Sequence, residues 1–284
     1  MRLTPRYGSN PLVTLDGNPA DIAAPAIRQR RRLAAVLATF NEEQWAYPSR
    51  CESWSNRDVI IHLESTNGFW AFAITSGLQG EPTRFLATFD PVTSPAELVA
   101  NSTSLTSQQV LDRFVASTNA LAELWASMHD GGWSTLAEAP PGHVSISAVT
   151  HHALWDSWVH ERDILLPLGI VPDEEADEIA ACLRYGAALS PALALSQGSG
   201  RGKTGTLAIK VTSPDISFVV EIGEQAAVTT GATTNPDLLL TGDAVALLEA
   251  LSIRRPLDQE VPTHVAWMVN GLAETFDAPV QRNV

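Results

Sequence analysis

The sequence predicts an α+β protein: a four-helix bundle followed by a small α+β domain with an antiparallel sheet. Three observations support this class. Apolar residues recur with the 3.6-residue period of helices in several runs before residue 195. After Ser196-Gln197-Gly198-Ser199-Gly200, a stretch with the composition of a flexible linker, the pattern changes to short strand-like runs. A chain of 284 residues, 45% hydrophobic and 18% charged, has the composition of a folded protein with a sizeable core. The expected boundaries are an extended segment over 1–19, the bundle over 20–195, a linker over 196–203 and the small domain over 204–284.

Residues up to about Pro19 are rich in Pro, Gly and Asn and read as an extended lead-in. Asp21 caps a helix running to Phe40, with Ile22, Ile27, Leu33, Val36 and Leu37 inward. Asn41 to Trp45 opens a short helical turn, and Pro48 to Ser53 is a loop. Cys51 in that loop reads as a packed or idle thiol, because no sequence neighbour activates it. Ser55 and Asp58 form a capping-box pattern that starts a helix from Asn56 to Thr75, which Gly77 ends. Gly80 to Pro95 reads as irregular and contains Arg84, a positive charge near the presumed site. A helix from Ser107, as N-cap, to Met128 turns Val110, Phe114, Leu121, Leu124 and Trp125 inward. Gly131-Gly132 and Pro140-Pro141-Gly142 separate it from a helix over Ser147 to Leu166, and another follows over Glu174 to Leu189. Beyond the linker, strands are expected over Thr206–Thr212, Ile216–Ile222 and Ala226–Thr230. Asp237–Thr241 reads as a fourth strand or a helix entry; helices then cover Asp243–Leu251 and Pro262–Phe276.

The balance of 32 acidic against 18 basic residues, a net charge of −14, disfavours nucleic acid or anionic lipid as a partner. The local cluster Arg28-Arg30-Arg31-Arg32 reads as a solvated or ion-paired helix face. Two cysteines without a CxxC pair give no disulfide framework. The N-terminus lacks a signal-peptide apolar core and no stretch reads as membrane-spanning, so a cytoplasmic protein is expected, monomeric or homodimeric.

The chemistry centres on Trp155-Asp156-Ser157-Trp158-Val159-His160-Glu161-Arg162-Asp163. In a helix Asp156 and His160 stand one turn apart on the same face, a spacing that lets a carboxylate and an imidazole grip one divalent metal. His62, on the earlier predicted helix, is the best candidate for a third ligand. His152, a further turn back, is an alternate, whereas His151 points away. Asp163 reads either as the partner of the His160 ring or as an exposed helix carboxylate. Glu64 and Glu161 read as surface residues, and Trp54, Trp155 and Trp158 as core or pocket lining. No GxSxG elbow, HExxH motif, phosphate loop or dinucleotide fingerprint competes.

Trp54-Ser55-x-Arg57-Asp58-Val59-x-x-His62-Leu63, followed by Asp156, His160 and Asp163, resembles the mycothiol-dependent maleylpyruvate isomerase family, whose bundle is of the DinB-like metal-binding type. Asp237-Leu238-Leu239-Leu240-Thr241-Gly242 and Leu251-Ser252-Ile253-Arg254-Arg255-Pro256 are similar to the family's smaller domain. The resemblance implies a divalent metal, usually zinc, on His62, Asp156 and His160, and mycothiol or a similar low-molecular-weight thiol as cofactor. It also implies an arginine reaching the site from the smaller domain, here Arg254; Arg84 and Arg255 are the other candidates for binding a small acidic substrate or the thiol. Two departures stand out: Asp156 replaces the family's Glu, and Ile253 stands where the family often has Gly. The expected activity is a metal- and thiol-dependent isomerase or S-transferase; the alternatives are a non-catalytic metal- or ligand-binding regulatory protein and a metal-dependent hydrolase.

Overall fold

The computed structural model describes residues 3–91, 93–102 and 104–276. The chain runs β1 (Val13–Leu15), α1 (Ala23–Leu37), α2 (Glu42–Ala46), α3 (Asn56–Leu78), α4 (Thr93–Ala100), α5 (Ser107–Ala126), β2 (Leu136–Ala139), β3 (Gly142–Ser145), α6 (Ile146–Leu165) and α7 (Ala176–Gln197). It continues through β4 (Gly205–Thr212), β5 (Ile216–Ile222), β6 (Ala226–Thr230), β7 (Leu238–Asp243), α8 (Ala244–Leu251) and α9 (Trp267–Thr275). Helices α1, α3, α5 and α6 pack on one another as the bundle. The larger sheet has the order β1-β6-β5-β4-β7.

Local chemistry sets the helix starts. The Ser55 hydroxyl accepts from the Asp58 N–H while the Asp58 carboxylate accepts from the Ser55 N–H, the reciprocal box that begins α3. In α5 the cap is Thr106, one residue before the expected Ser107, with Gln109 closing the box. Gly77 lies inside α3 instead of ending it. The Leu136 carbonyl of β2 passes so close that a side chain there would collide with it. Gly80 to Pro95 holds one 3-10 turn, Phe85–Thr88, and the start of α4 at its end, and Pro140-Pro141-Gly142 is the tip of the β2/β3 hairpin rather than a simple break.

Two features add to the expected organisation. The 1–19 segment contains β1, which pairs in parallel with β6, Val13 opposite Ala226. The sheet is therefore mixed, antiparallel through β4, β5 and β6 and parallel at both edges, where β7 also joins β4. Residue 195 is also no core boundary. A continuous apolar cluster joins Trp70 and Leu154 of the bundle, Tyr185 and Leu189 of α7, and Leu207, Val220 and Leu248 of the C-terminal part. Helix α7 packs against α6 on one side and α8, α9 and the sheet on the other. Against expectation, α7 is also long and apolar enough to cross a membrane, but 83% of that stretch is buried inside the protein, which makes it a core helix.

A second apolar cluster, with Leu33, Leu37, Val59, Leu63, Phe114 and Ile164, fills the other end of the bundle. Between the two clusters α6 is buried nearly all round, so its polar residues must find partners inside the protein. The Arg28-Arg30-Arg31-Arg32 cluster supplies some. Arg32 pairs with Glu161 and Glu178, both at 2.8 Å, and Arg28 with Glu178 at 2.8 Å. Glu161, expected at the surface, is 1% exposed because this ion-paired network takes it inward.

Candidate metal centre

Helix α3 brings His62 against the face of α6 that carries Asp156 and His160. The Asp156 Oδ1 lies 3.5 Å from His160 Nε2 and 3.9 Å from His62 Nε2. Ligands about 2.0–2.2 Å from a tetrahedral zinc stand roughly 3.3–3.6 Å apart, so a shift of a few tenths of an ångström converts this geometry into a coordination set. Asp156 and His160, paired by their helical spacing, and His62, the candidate from the earlier helix, thus converge.

Two observations test the fit of a cation. Asp156 Oδ2 is buried and has no hydrogen-bond partner, a costly state for a carboxylate unless something positive meets it. His160 Nδ1 lies 3.0 Å from Asp163 Oδ2. With the Nδ1–H donated to that carboxylate, the Nε2 lone pair is left facing Asp156 and His62. The donor set, two imidazoles and one carboxylate, is one that binds zinc and leaves a position open. The residues present therefore fit a divalent metal.

The electrostatics agree. Burial by itself would raise the Asp156 carboxyl, but the neighbouring imidazoles of His62, His160 and His152 outweigh it and hold the group well below the usual carboxylate range. Burial would lower the His160 imidazole; the surrounding Cys51, Asp163 and Asp156 instead push it up to about 10. The negative field that does so is the field a cation would meet.

Asp163 settles between its two readings as an inward partner, 0% exposed. Arg254 donates to it from Nε at 2.9 Å and from Nη2 at 2.8 Å, and Arg50 Nε lies 3.4 Å away. Burial acts to raise the Asp163 carboxyl, but Arg254 and His160 outweigh it and hold the group far down. Arg254 thereby reaches the centre from the C-terminal part, as the resemblance implies. Its loop carries a backbone conformation that favours glycine at the preceding position. Ile253 has φ +54°, in the left-handed region that a β-branched residue adopts only under constraint. The constraint is visible on either side: Ser252 Oγ accepts from Trp155 Nε1 at 2.9 Å, and Arg254 is clamped to Asp163.

Arg84 and Arg255 do not join the centre. The Arg84 guanidinium lies 5.3 Å from the Tyr7 ring centroid, beside the phenol that donates to buried Glu138, so the face of an aromatic ring takes it elsewhere. Arg255 pairs with Asp258 at 3.0 Å on the surface. Conversely, Cys51 is not idle in position. Its Sγ is 3.3 Å from Asp163 Oδ2 and 3.5 Å from His160 Nδ1. Arg50 and Glu249, which pair at 2.8 Å, were also not foreseen. These residues lie in a loop and on α8, and no motif or helical spacing ties them to Asp156 and His160. Trp54 itself stacks near His62, with ring centroids 5.4 Å apart, while Trp158 is buried in the core.

Fold and site together define a helical-bundle protein with a His/Asp/His group able to hold a metal, closed on one side by an arginine from a sheet-containing C-terminal part. Residues 27–165 match the family described as the mycothiol maleylpyruvate isomerase N-terminal domain. The fold is that of a solved mycothiol-dependent maleylpyruvate isomerase, with TM-score 0.59 and 16% identity, covering 86% of this chain and 95% of that one. The structure of a histidine-to-alanine mutant bearing the same enzyme name matches with TM-score 0.59 at 15% identity, covering the same shares of the two chains. No curated protein matches significantly.

Proposed function

We propose that this protein is a metal- and thiol-dependent isomerase acting on a small conjugated acid of the maleyl type. The observation that carries the reading is the convergence of His62, Asp156 and His160 around the unpartnered Asp156 Oδ2, inside a segment that matches the isomerase N-terminal domain. When bound there, a divalent metal such as zinc would hold a low-molecular-weight thiol, mycothiol or an equivalent, as its thiolate, a nucleophile able to add reversibly to a conjugated double bond.

The chain's own residues prepare that chemistry. Asp163 keeps the His160 ring turned so that Nε2 faces the centre. Arg254 is fixed by Asp163 through Nε and Nη2, and its Nη1 meets only the Ser252 carbonyl, at 3.3 Å, which leaves donor capacity for a carboxylate. This matters because a chain of net charge −14 repels acidic ligands at long range, and a local fork of guanidinium donors counters that only at contact. Asp156, one methylene shorter than the family's Glu, relies on the close approach of α3 to α6 to reach His62.

The test compares the metal content of wild-type protein, purified without chelator, with that of His62→Ala and His160→Ala, followed by a thiol-dependent isomerisation assay. About one divalent ion per chain, lost in both variants, together with turnover only when thiol is present, is the expected result. A wild type that takes up no metal from added zinc, or turnover independent of thiol, refutes the reading.

A further inference from the structure

His152 lies one helical turn before Asp156 on α6 and is 6% exposed. Three rings wall it in: Trp70, Trp155 and Tyr185, with centroids 4.9, 5.3 and 5.4 Å from its own. Its Nδ1 is 2.9 Å from the Tyr185 hydroxyl. Tyr185 is 0% exposed, and this contact is the hydroxyl's hydrogen bond.

That contact fixes the tautomer. A buried phenol has one proton to donate, and the imidazole nitrogen is its acceptor here. Were Nδ1 protonated instead, the hydroxyl proton would be stranded in an apolar interior. Tyr185 therefore donates to Nδ1, and the ring's own hydrogen resides on Nε2. Nε2 has no protein partner among the described residues. Asp156 stands one turn further along the same face of α6, so the His152 ring lies beside the candidate metal centre.

We propose that His152 is a fixed, neutral Nε2–H donor to a negatively charged oxygen of the substrate, and not a ligand of the metal. Both ring nitrogens are committed: one lone pair accepts from Tyr185, and the other nitrogen carries hydrogen and has no lone pair to give a cation. Burial pushes the ring's pKa down to about 4 against the pull of Asp156, so it stays neutral at pH 7. A donor held rigidly in a site of low polarity favours an oxygen that gains charge as a conjugated acid reacts. The substrate class rests on the isomerase reading; the tautomer does not.

The deciding measurement is the histidine ring 15N spectrum at pH 7, with and without zinc, His152 being assigned by the signal lost in His152→Phe. A neutral Nε2–H ring, unchanged on zinc loading and converted at least in part to Nδ1–H by Tyr185→Phe, is the expected result. An Nδ1–H or doubly protonated ring, or an Nε2 that takes on the shift of a coordinated nitrogen with zinc, overturns the proposal. In the isomerisation assay, His152→Phe is expected to keep its zinc and to lose about 10²–10³-fold in kcat with a smaller change in KM. His152→Gln, whose amide N–H reaches nearly the Nε2 position, should recover most of that loss. Loss of zinc in His152→Phe, or unchanged kcat, also overturns it. The ring measurement needs no turnover, so a wrong tautomer and a wrong substrate class fail separately.

Discussion

Replacing Asp163 by Asn tests the part of the site that joins the metal ligand to the C-terminal part. The carboxylate is 0% exposed and accepts from Arg254 Nε and Nη2, from His160 Nδ1 at 3.0 Å and from Cys51 Sγ at 3.3 Å. The amide offers one acceptor oxygen in place of two and turns an NH2 toward donors. It also removes the charge opposite Arg254, whose side chain is only 16% exposed. Breaking a buried pair by removing one partner costs about 3–5 kcal/mol. For a chain of this size that lowers Tm by roughly 6–10 °C. With its orienting partner gone, His160 should bind metal about 10–100-fold more weakly. Thermal denaturation of metal-free protein and zinc competition against a chromophoric chelator measure the two effects. Because the folded carboxyl is held below its unfolded pKa, the Tm difference should be full above pH 4 and shrink as pH falls further. A variant with unchanged Tm and zinc affinity within twofold of wild type would show that Asp163 neither supports Arg254 nor orients His160.

Other perturbations have equally definite outcomes. His152 has its pKa lowered to about 4 from an unfolded value near 6.5, so its contribution is complete above pH 6.5 and is lost as pH falls toward 4. That amounts to about 3 kcal/mol, and denaturant titrations at pH 7.5 and pH 4.5 should show it in wild type but not in His152→Phe. Glu161→Ala leaves Arg32 without one of its two carboxylates and should destabilise by about 3 kcal/mol without changing metal content; a loss under 0.5 kcal/mol would show that Glu178 alone suffices. Gly77→Ala forces a methyl against the Leu136 carbonyl and should cost about 1–3 kcal/mol, read from the urea midpoint; no shift would mean that the hairpin moves away freely.

Much of this molecule can be read from its residues because its organising elements are long and periodic. Helix α6, both central strands and the Asp156/His160 pair follow from spacing alone, and the Ser55 box places His62 in register on α3. What spacing could not show is what lies across the fold. Asp163 has the same sequence signature whether it faces water or Arg254, and the distinction depends on a loop 91 residues later. Glu161 is inside only because Arg32 and Gln29 meet it there. Cys51 sits in an aperiodic loop that tertiary contacts press against His160. Strand β1, three residues long, is too short to be seen until β6 is there to pair with it.

Helix α7 has a consequence for how such a protein can be built. The family segment stops at residue 165, yet the rows of apolar side chains that cover it come from α7, and the opposite side of α7 is covered in turn by α9 and the sheet. At Gly271 the α9 backbone rides directly on the Ser190 carbonyl. An excised N-terminal half would carry α7 bare on one side or lack it altogether, and either product presents a broad greasy surface to water. In this chain the matched segment is therefore not a free-standing module: its cover comes from the C-terminal part, the same part that brings Arg254 to Asp163.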